Sequence, residues 1–284
     1  MKTLLSVIIL AALALSLAAC SPEKTFQETK TYSLNGINNI SVDGGFSVAV
    51  VTGVKHPKLT VTALNSYQSL VHYDRRGDSL SVTSNYSATD NDLRQIQLTF
   101  YVNRLNQLTI NHAYRLKINS PRYTVWNHLT LANIMTPVSI RGRLQVYRLD
   151  IIGNMVVNDS GAIALTKLYQ LNGQAYIHLN QVNAKTIRLI STGSSRITLS
   201  GKAHSIYADL YQRAMLIAKH LRVKNAFIKA YDYSFANIYV KDLIFAYTTK
   251  TSRVDYLGYP EAYHRALCAS AILPIYDQGS VKVE

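Results

Sequence analysis

The sequence is short of most of what common chemistries require. Its two cysteines, Cys20 and Cys268, are too few for the disulfide framework of a small secreted scaffold, so stability must come from packing. The eight His are scattered, and none stands beside a second His and an acid at metal-ligand spacing, so no metal or cofactor is expected. Ser160-Gly161 lacks the preceding Gly of a nucleophile elbow, and no glycine-rich phosphate cradle occurs. Helical patterning is also missing. No stretch of ten or more residues with apolar positions three and four apart separates the apolar runs, which argues against a helix-backed parallel sheet or a leucine-rich horseshoe. Asn172-Gly173 is the one Asn-Gly pair between Leu108 and Leu257, so two-residue hairpin turns are scarce. Acids are few, at 16 Asp and Glu against 30 Lys and Arg.

What is present is a weak repeat of about twenty residues. Leu108, Leu129, Leu149, Leu168, Ile187, Ile206, Phe227 and Leu243 each open a short apolar run, at successive spacings of 21, 20, 19, 19, 19, 21 and 16. A second short run follows each polar turn, as in Ile187-Arg-Leu189 and Ile197-Thr-Leu199 around Thr192-Gly193-Ser194-Ser195. Alternation with period two puts Ile187, Leu189, Ile197 and Leu199 on one face and Arg188 and Thr198 on the other. Two or three short strands per twenty residues fit one coil of a solenoid, whose neighbours must stack to bury the inward side chains. The expected fold is all-β: a right-handed parallel β-helix with a strand-rich amino-terminal layer. A β-sandwich is the alternative.

The chain begins with Met1-Lys-Thr, then an apolar run from Leu4 to Ala19, short for a membrane span and suited to a signal peptide. No second apolar stretch reaches spanning length. Leu17-Ala-Ala-Cys20 resembles the lipobox of bacterial lipoproteins. That resemblance implies cleavage before Cys20, lipid attachment at Cys20 and, with Ser21 next, an outer-membrane address on its periplasmic or surface face. Residues 1–19 are then the signal peptide and 20–30 the lipidated cysteine and tether. Cys268 has no intrachain partner once Cys20 is lipidated, and reads as a buried thiol between Leu267 and Ala269.

Residues 31–284 read as one domain: an amino-terminal layer over 31–104, coils over 105–257 and a cap over 258–284. Gly36-Ile37-Asn38 precedes Val42-Asp43-Gly44-Gly45-Phe46-Ser47-Val48. Leu59-Thr-Val-Thr62, Gly77-Asp-Ser-Leu-Ser-Val82, Ile96-Gln-Leu98 and Leu108-Thr-Ile-Asn111 follow, and Val254 to Pro260 and Gly279-Ser-Val-Lys282 close the chain. This ordered set resembles the bacterial family called "putative auto-transporter adhesin, head GIN domain". The resemblance implies an exported right-handed β-helix without an assigned activity. One departure stands out. Met135-Thr-Pro137, Tyr211-Gln-Arg213 and Tyr231-Asp-Tyr-Ser234 occupy turns where the family carries Gly and Ser, so those turns are expected to be bulky.

The charge is uneven. Without the leader, which holds Lys2 alone, the side-chain balance is 29 minus 16, or +13. No acid lies between Asp92 and Asp150, a span with eight Lys or Arg, nor between Asp159 and Asp209, which holds five. Equivalent positions stack on a solenoid, so these residues are expected to form a basic stripe, with Arg115, Lys117, Arg141 and Arg143 as candidate anion-binding residues. Anionic glycan, lipopolysaccharide and lipid headgroups are the expected partners, besides the membrane through the lipid anchor. The 20 Tyr suit outward strand positions as well as a carbohydrate or protein interface. Nucleic acid is disfavoured by the export signal and the lack of a recognition motif. The function expected is a non-enzymatic, adhesin-like envelope module. The alternative is a polysaccharide lyase or hydrolase, which needs two carboxylates roughly 5 to 10 Å apart. Asp150 and Asp159 are the nearest pair that could share neighbouring coils, and Asp209, Asp232 and Asp255 recur about once per coil.

Overall fold

The computed structural model describes residues 25–84, 89–266 and 271–274. The leader, Cys20, Cys268 and Gly279-Ser-Val-Lys282 lie outside the described residues. The described strands join into one sheet that winds on itself, a β-solenoid of about eight turns.

The amino-terminal layer holds β1 (Gln27–Ser33), β2 (Asn39–Asp43), β3 (Ser47–Thr52), β4 (Lys58–Leu64), β5 (Val71–Arg76), β6 (Ser79–Ser84) and β7 (Gln97–Val102). Its pairing is mixed. β4 runs antiparallel to both β1 and β7, and β5 antiparallel to β6. β2 and β3 already run parallel to β8 (Leu105–Asn111) and β9 (Arg115–Ala132), which start the coils. From there all pairing is parallel, through β10 (Val138–Ile152), β11 (Met155–Asp159), β12 (Ala162–Leu171), β13 (Ala175–Ser191), β14 (Arg196–Leu210), β15 (Met215–Ala230) and β16 (Phe235–Thr248). That excludes the sandwich. β17 (Arg253–Leu257), β18 (Glu261–Ala266) and β19 (Ala271–Pro274) continue the same parallel stacking past position 258.

Alternation sets the core. Ile187, Leu189, Ile197 and Leu199 are buried, Arg188 is exposed and Thr198 half-buried. The column that stacks from coil to coil is Leu108, Leu129, Leu149, Leu168, Leu189, Ala208, Ile228 and Ala246. It leaves the expected series after Leu168, by two residues at Leu189 and Ala208, one at Ile228 and three at Ala246. Ile187 and Ile206 belong to a neighbouring inward column, Phe227 faces out and Leu243 is half-exposed. Bulges at the coil corners change the residue count per turn, and a period-two strand offers apolar side chains at both i and i+2, so spacing alone cannot fix the register.

Two devices shape each turn of the solenoid. Where one coil passes to the next, one residue takes the left-handed conformation, as do Asn133, Gly153, Gly193, Gln212 and Asp232. At two of the coil corners a buried serine adds a second donor to a carbonyl that already accepts a backbone N–H: the Ser234 hydroxyl donates to Leu210 O at 3.2 Å beside Tyr231 N, and the Ser252 hydroxyl to Ala230 O at 2.9 Å beside Thr249 N.

Candidate functional site

The outward positions carry any function, because the inward ones are filled by the core. Leu116, Ile118 and Ile140 point in, so Arg115, Lys117 and Arg141 point out and are exposed. Lys117 lies opposite Ser139, and Arg141 opposite Asn119, so Lys117 and Arg141 are diagonal neighbours on one face. Arg143 stands past the bulge at Gly142, where its partner is Ala162, and thus belongs to the next face. Arg115 and Lys117 share a shallow groove of about 320 Å³ with Arg94, whose guanidinium lies 4.9 Å over the Tyr114 ring. The structure therefore gathers Arg94, Arg115 and Lys117, brings Arg141 alongside and leaves Arg143 apart.

A second basic column runs along another face. Arg148, Lys167 and Arg188 are in direct register on β10, β12 and β13, followed by Tyr207, Phe227 and Phe245. Tyr207 and Phe227 stack with centroids 4.6 Å apart, and Arg188 sits 5.5 Å over Tyr207. The first cation is neutralised locally. The buried Asp150 carboxylate accepts from Arg148 Nε at 2.8 Å and contacts His128 Nε2 at 2.8 Å. That carboxylate holds the Arg148 guanidinium pKa above its ordinary value.

A third basic surface escaped the sequence reading. At the corner of β15 and β16, Lys219, His220, Arg222, Lys224, Tyr239 and Lys241 line a groove of about 580 Å³. A signal was present, since no acid lies between Asp209 and Asp232, a span with five Lys or Arg. The groove itself depends on a bulge that no sequence pattern announces.

Four of the five acids singled out in the sequence, Asp150, Asp159, Asp232 and Asp255, are held by structural partners. Asp159 is buried at a corner, accepts from Gly161 N at 2.8 Å, and has its pKa raised by burial. Asp150 lies on a different face of its coil from Asp159, so the two do not flank a groove. Asp209, Asp232 and Asp255 form no ladder: they sit on a face opposite Lys229, in a turn held by Lys250, and on another face paired with Arg253. Among the described residues no group of three or more His, Cys, Asp or Glu is placed to hold a metal. The bulky turns form a surface of their own, where Tyr211 and Tyr231 stack at 4.8 Å and Tyr233 is 65% exposed.

Fold and surface together define a parallel β-solenoid with outward basic and aromatic columns. Residues 37–260 match the family described as "Putative auto-transporter adhesin, head GIN domain", and the chain belongs to that family. Solved structures share the fold. A "putative adhesin" from Parabacteroides merdae is 15% identical, with a TM-score of 0.60 over 88% of this chain and 96% of that one. A "putative adhesin" from Parabacteroides distasonis is 14% identical, with a TM-score of 0.59 over 89% and 98%. A "Putative lipid binding protein" from the same species is 15% identical, with a TM-score of 0.60 over 88% and 96%. No curated protein matches the chain.

Proposed function

We propose that this chain is a non-enzymatic binding module of the cell envelope, lipid-anchored through Cys20 in the outer membrane, whose solenoid presents cations to an anionic glycan, lipopolysaccharide or lipid headgroup. The observation that carries the reading is the set of exposed Lys and Arg held at fixed spacing on a rigid coil without facing carboxylates, as at Arg115, Lys117 and Arg141. Neighbouring strands lie about 4.8 Å apart, so like charges are kept close, and a bound anion relieves their repulsion. Membership of an adhesin-type family supports a role in contact rather than turnover. Of the carboxylates a polysaccharide enzyme would use, Asp150, Asp159, Asp232 and Asp255 are bound to Arg, Lys, His or backbone partners.

Two measurements test this. Fatty-acid labelling is expected to be lost in Cys20→Ser, and unchanged labelling sinks the anchor. Binding to anionic vesicles or lipopolysaccharide is expected to fall as salt rises, because exposed charges are screened over about 8 Å at physiological ionic strength. It is expected to weaken in Arg141→Glu/Arg143→Glu with the fold intact. Equal binding to neutral and anionic surfaces at low salt refutes the reading.

A further inference from the structure

The corner groove between β15 and β16 is built by a mismatch in coil length. Ala218 pairs with Ile238 and Arg222 with Tyr239, so Lys219, His220 and Leu221 have no counterparts in β16. On the other side, Thr198 pairs with Ile217 and Ser200 with His220, so β15 also carries one residue more than β14. A bulge of this kind bends the strand and re-aims its side chains. Leu221 turns fully inward and anchors the bulge, while Lys219 and His220 stand exposed on its crest. β16 contributes Tyr239, a residue 36% exposed, and Lys241 to the groove.

The charge there is one-sided. Lys202 on β14 pairs with Arg222 on β15, so two cations occupy adjacent strands in direct register. Lys224 and Lys241 complete the rim. Among the described residues Lys202, Lys219, Arg222 and Lys224 form no ion pair, and Lys241 meets only the exposed Asp242, at 4.0 Å. Four of these cations, Lys219, Arg222, Lys224 and Lys241, thus line a groove that also holds the Tyr239 ring.

We propose that this corner binds an acidic saccharide, with a sugar ring lying on Tyr239 and its phosphate or carboxylate groups held by Lys219, Arg222, Lys224 and Lys241. The proposal deepens, and rests on, the anionic-ligand reading given above. The groove of about 580 Å³ is within the usual range for small-ligand sites. A flat aromatic face with a wet hydroxyl suits a sugar, and the cations suit its acidic substituents. A peptide added as a strand has no edge to use, because β15 is paired on both sides. Single-stranded nucleic acid stacks successive bases on several large rings, and Tyr239 is the one Tyr, Phe or Trp in the groove. The same acidic sugar chemistry occurs in a free polysaccharide and in the headgroup of a glycolipid.

The test is calorimetric titration of the full chain in detergent with trigalacturonate, deacylated lipopolysaccharide, intact lipopolysaccharide and neutral maltotriose. Oligothymidylate and phosphatidylglycerol vesicles serve as competing anions. Trigalacturonate or deacylated lipopolysaccharide is expected to bind and maltotriose not. Lys219→Glu/Arg222→Glu is expected to weaken binding at least about tenfold, the loss of one or more charged hydrogen bonds. Tyr239→Ala is expected to weaken the acidic saccharides while leaving their salt dependence in place. Unchanged circular dichroism certifies the fold of each variant. Deacylated and intact lipopolysaccharide binding alike supports a site for the sugar headgroup, and trigalacturonate binding alone supports a site for free polysaccharide. If Lys219→Glu/Arg222→Glu binds like the parent while Arg141→Glu/Arg143→Glu does not, the corner site is overturned and the anionic-ligand reading stands. If the parent binds no acidic saccharide, the corner proposal is overturned. Binding to vesicles that is lost in Arg141→Glu/Arg143→Glu would still preserve the broader reading in that case. Tighter binding to oligothymidylate or vesicles that is lost in Lys219→Glu/Arg222→Glu also overturns the saccharide assignment.

Discussion

Gly161→Ala tests whether the coils are as tightly clamped as their register implies. Gly161 is not in the left-handed region, so its backbone accepts alanine and the only new cost is contact. That contact is severe. A Cβ at 161 would lie 2.0 Å from the Gly142 carbonyl oxygen and 2.4 Å from its nitrogen. Side-chain carbons essentially never approach closer than 3.0 Å, so the corner must open by about 3.0 minus 2.0, or 1.0 Å. The ladders on either side resist, because Val138–Ile140 pairs with Val157–Asp159 just before the corner and Arg143 onward pairs with Ala162 onward just after it. An opening of that size strains the bond from Ser160 N to Ile140 O, at 2.9 Å, and the one from Gly161 N to the Asp159 carboxylate, at 2.8 Å. Two hydrogen bonds at about 1 kcal/mol each, with overpacking strain, give an expected loss of about 2–4 kcal/mol. Urea unfolding can be followed through Trp126, the single tryptophan, which is fully buried between the strands that carry Leu105 and Val146. Gly45→Ala is the control, because its Cβ would sit 3.4 Å from Leu93 and is expected to cost less than about 1 kcal/mol. A Gly161→Ala protein within about 0.5 kcal/mol of the parent, or no worse than Gly45→Ala, refutes the clamped-corner argument.

Two further outcomes follow from the core. Leu189→Ala removes a buried side chain between Leu168 and Ala208 and is expected to cost about 2–5 kcal/mol in the same urea assay, toward the upper part because hydrogen-bonded coils cannot close the cavity; a loss under about 1 kcal/mol contradicts the stacked column. Asp159 predicts a pH dependence. Burial raises its folded pKa above the ordinary 3.8, so the folded state holds that proton more tightly than the unfolded chain does. The stability it contributes is present below the unfolded value and is lost as pH rises through the folded one. Asp159→Asn keeps an oxygen for Gly161 N–H and removes this loss. The stability difference, variant minus parent, is expected to rise from acidic to neutral pH, and a flat difference refutes it.

Legibility followed the physics of each feature. Period-two alternation marked Ile187, Leu189, Ile197 and Leu199 as inward because burial is decided locally, by which side of a strand a residue occupies. The stacking partner of each was harder to read, because register depends on how many residues turn each corner, and Lys219-His220-Leu221 add to that count without altering the alternation around them. The bulky turns were legible as turns. Gln212 and Asp232 were not legible as left-handed residues, because Gly is the usual signal and here contacts hold the conformation instead: Asp232 accepts from Gln212 N at 3.2 Å and from Lys250, which also lowers its carboxyl pKa. Charge counting grouped Arg115, Lys117, Arg141 and Arg143; the structure sets the first three near one another and Arg143 on the next face, because the strand turns at Gly142.

One-dimensional packing makes the Lys117–Arg141 surface and the corner groove independent. From Ser139 beside Lys117 to Ile217 beside the corner groove, register runs through Asn158, His178 and Thr198, four strand steps. At about 4.8 Å per step that is roughly 19 Å, beyond the screening length of about 8 Å at physiological ionic strength. Coils touch only their neighbours, so reversing charge at Arg141 does not reshape the groove at Arg222. A short acidic saccharide should therefore respond to one set of substitutions alone. A long polyanion lying along the solenoid can engage both, and then each set of substitutions should weaken it, because the second contact is made at high effective concentration once the first is formed. A long ligand that responds to one set alone would mean that no single molecule bridges the two surfaces.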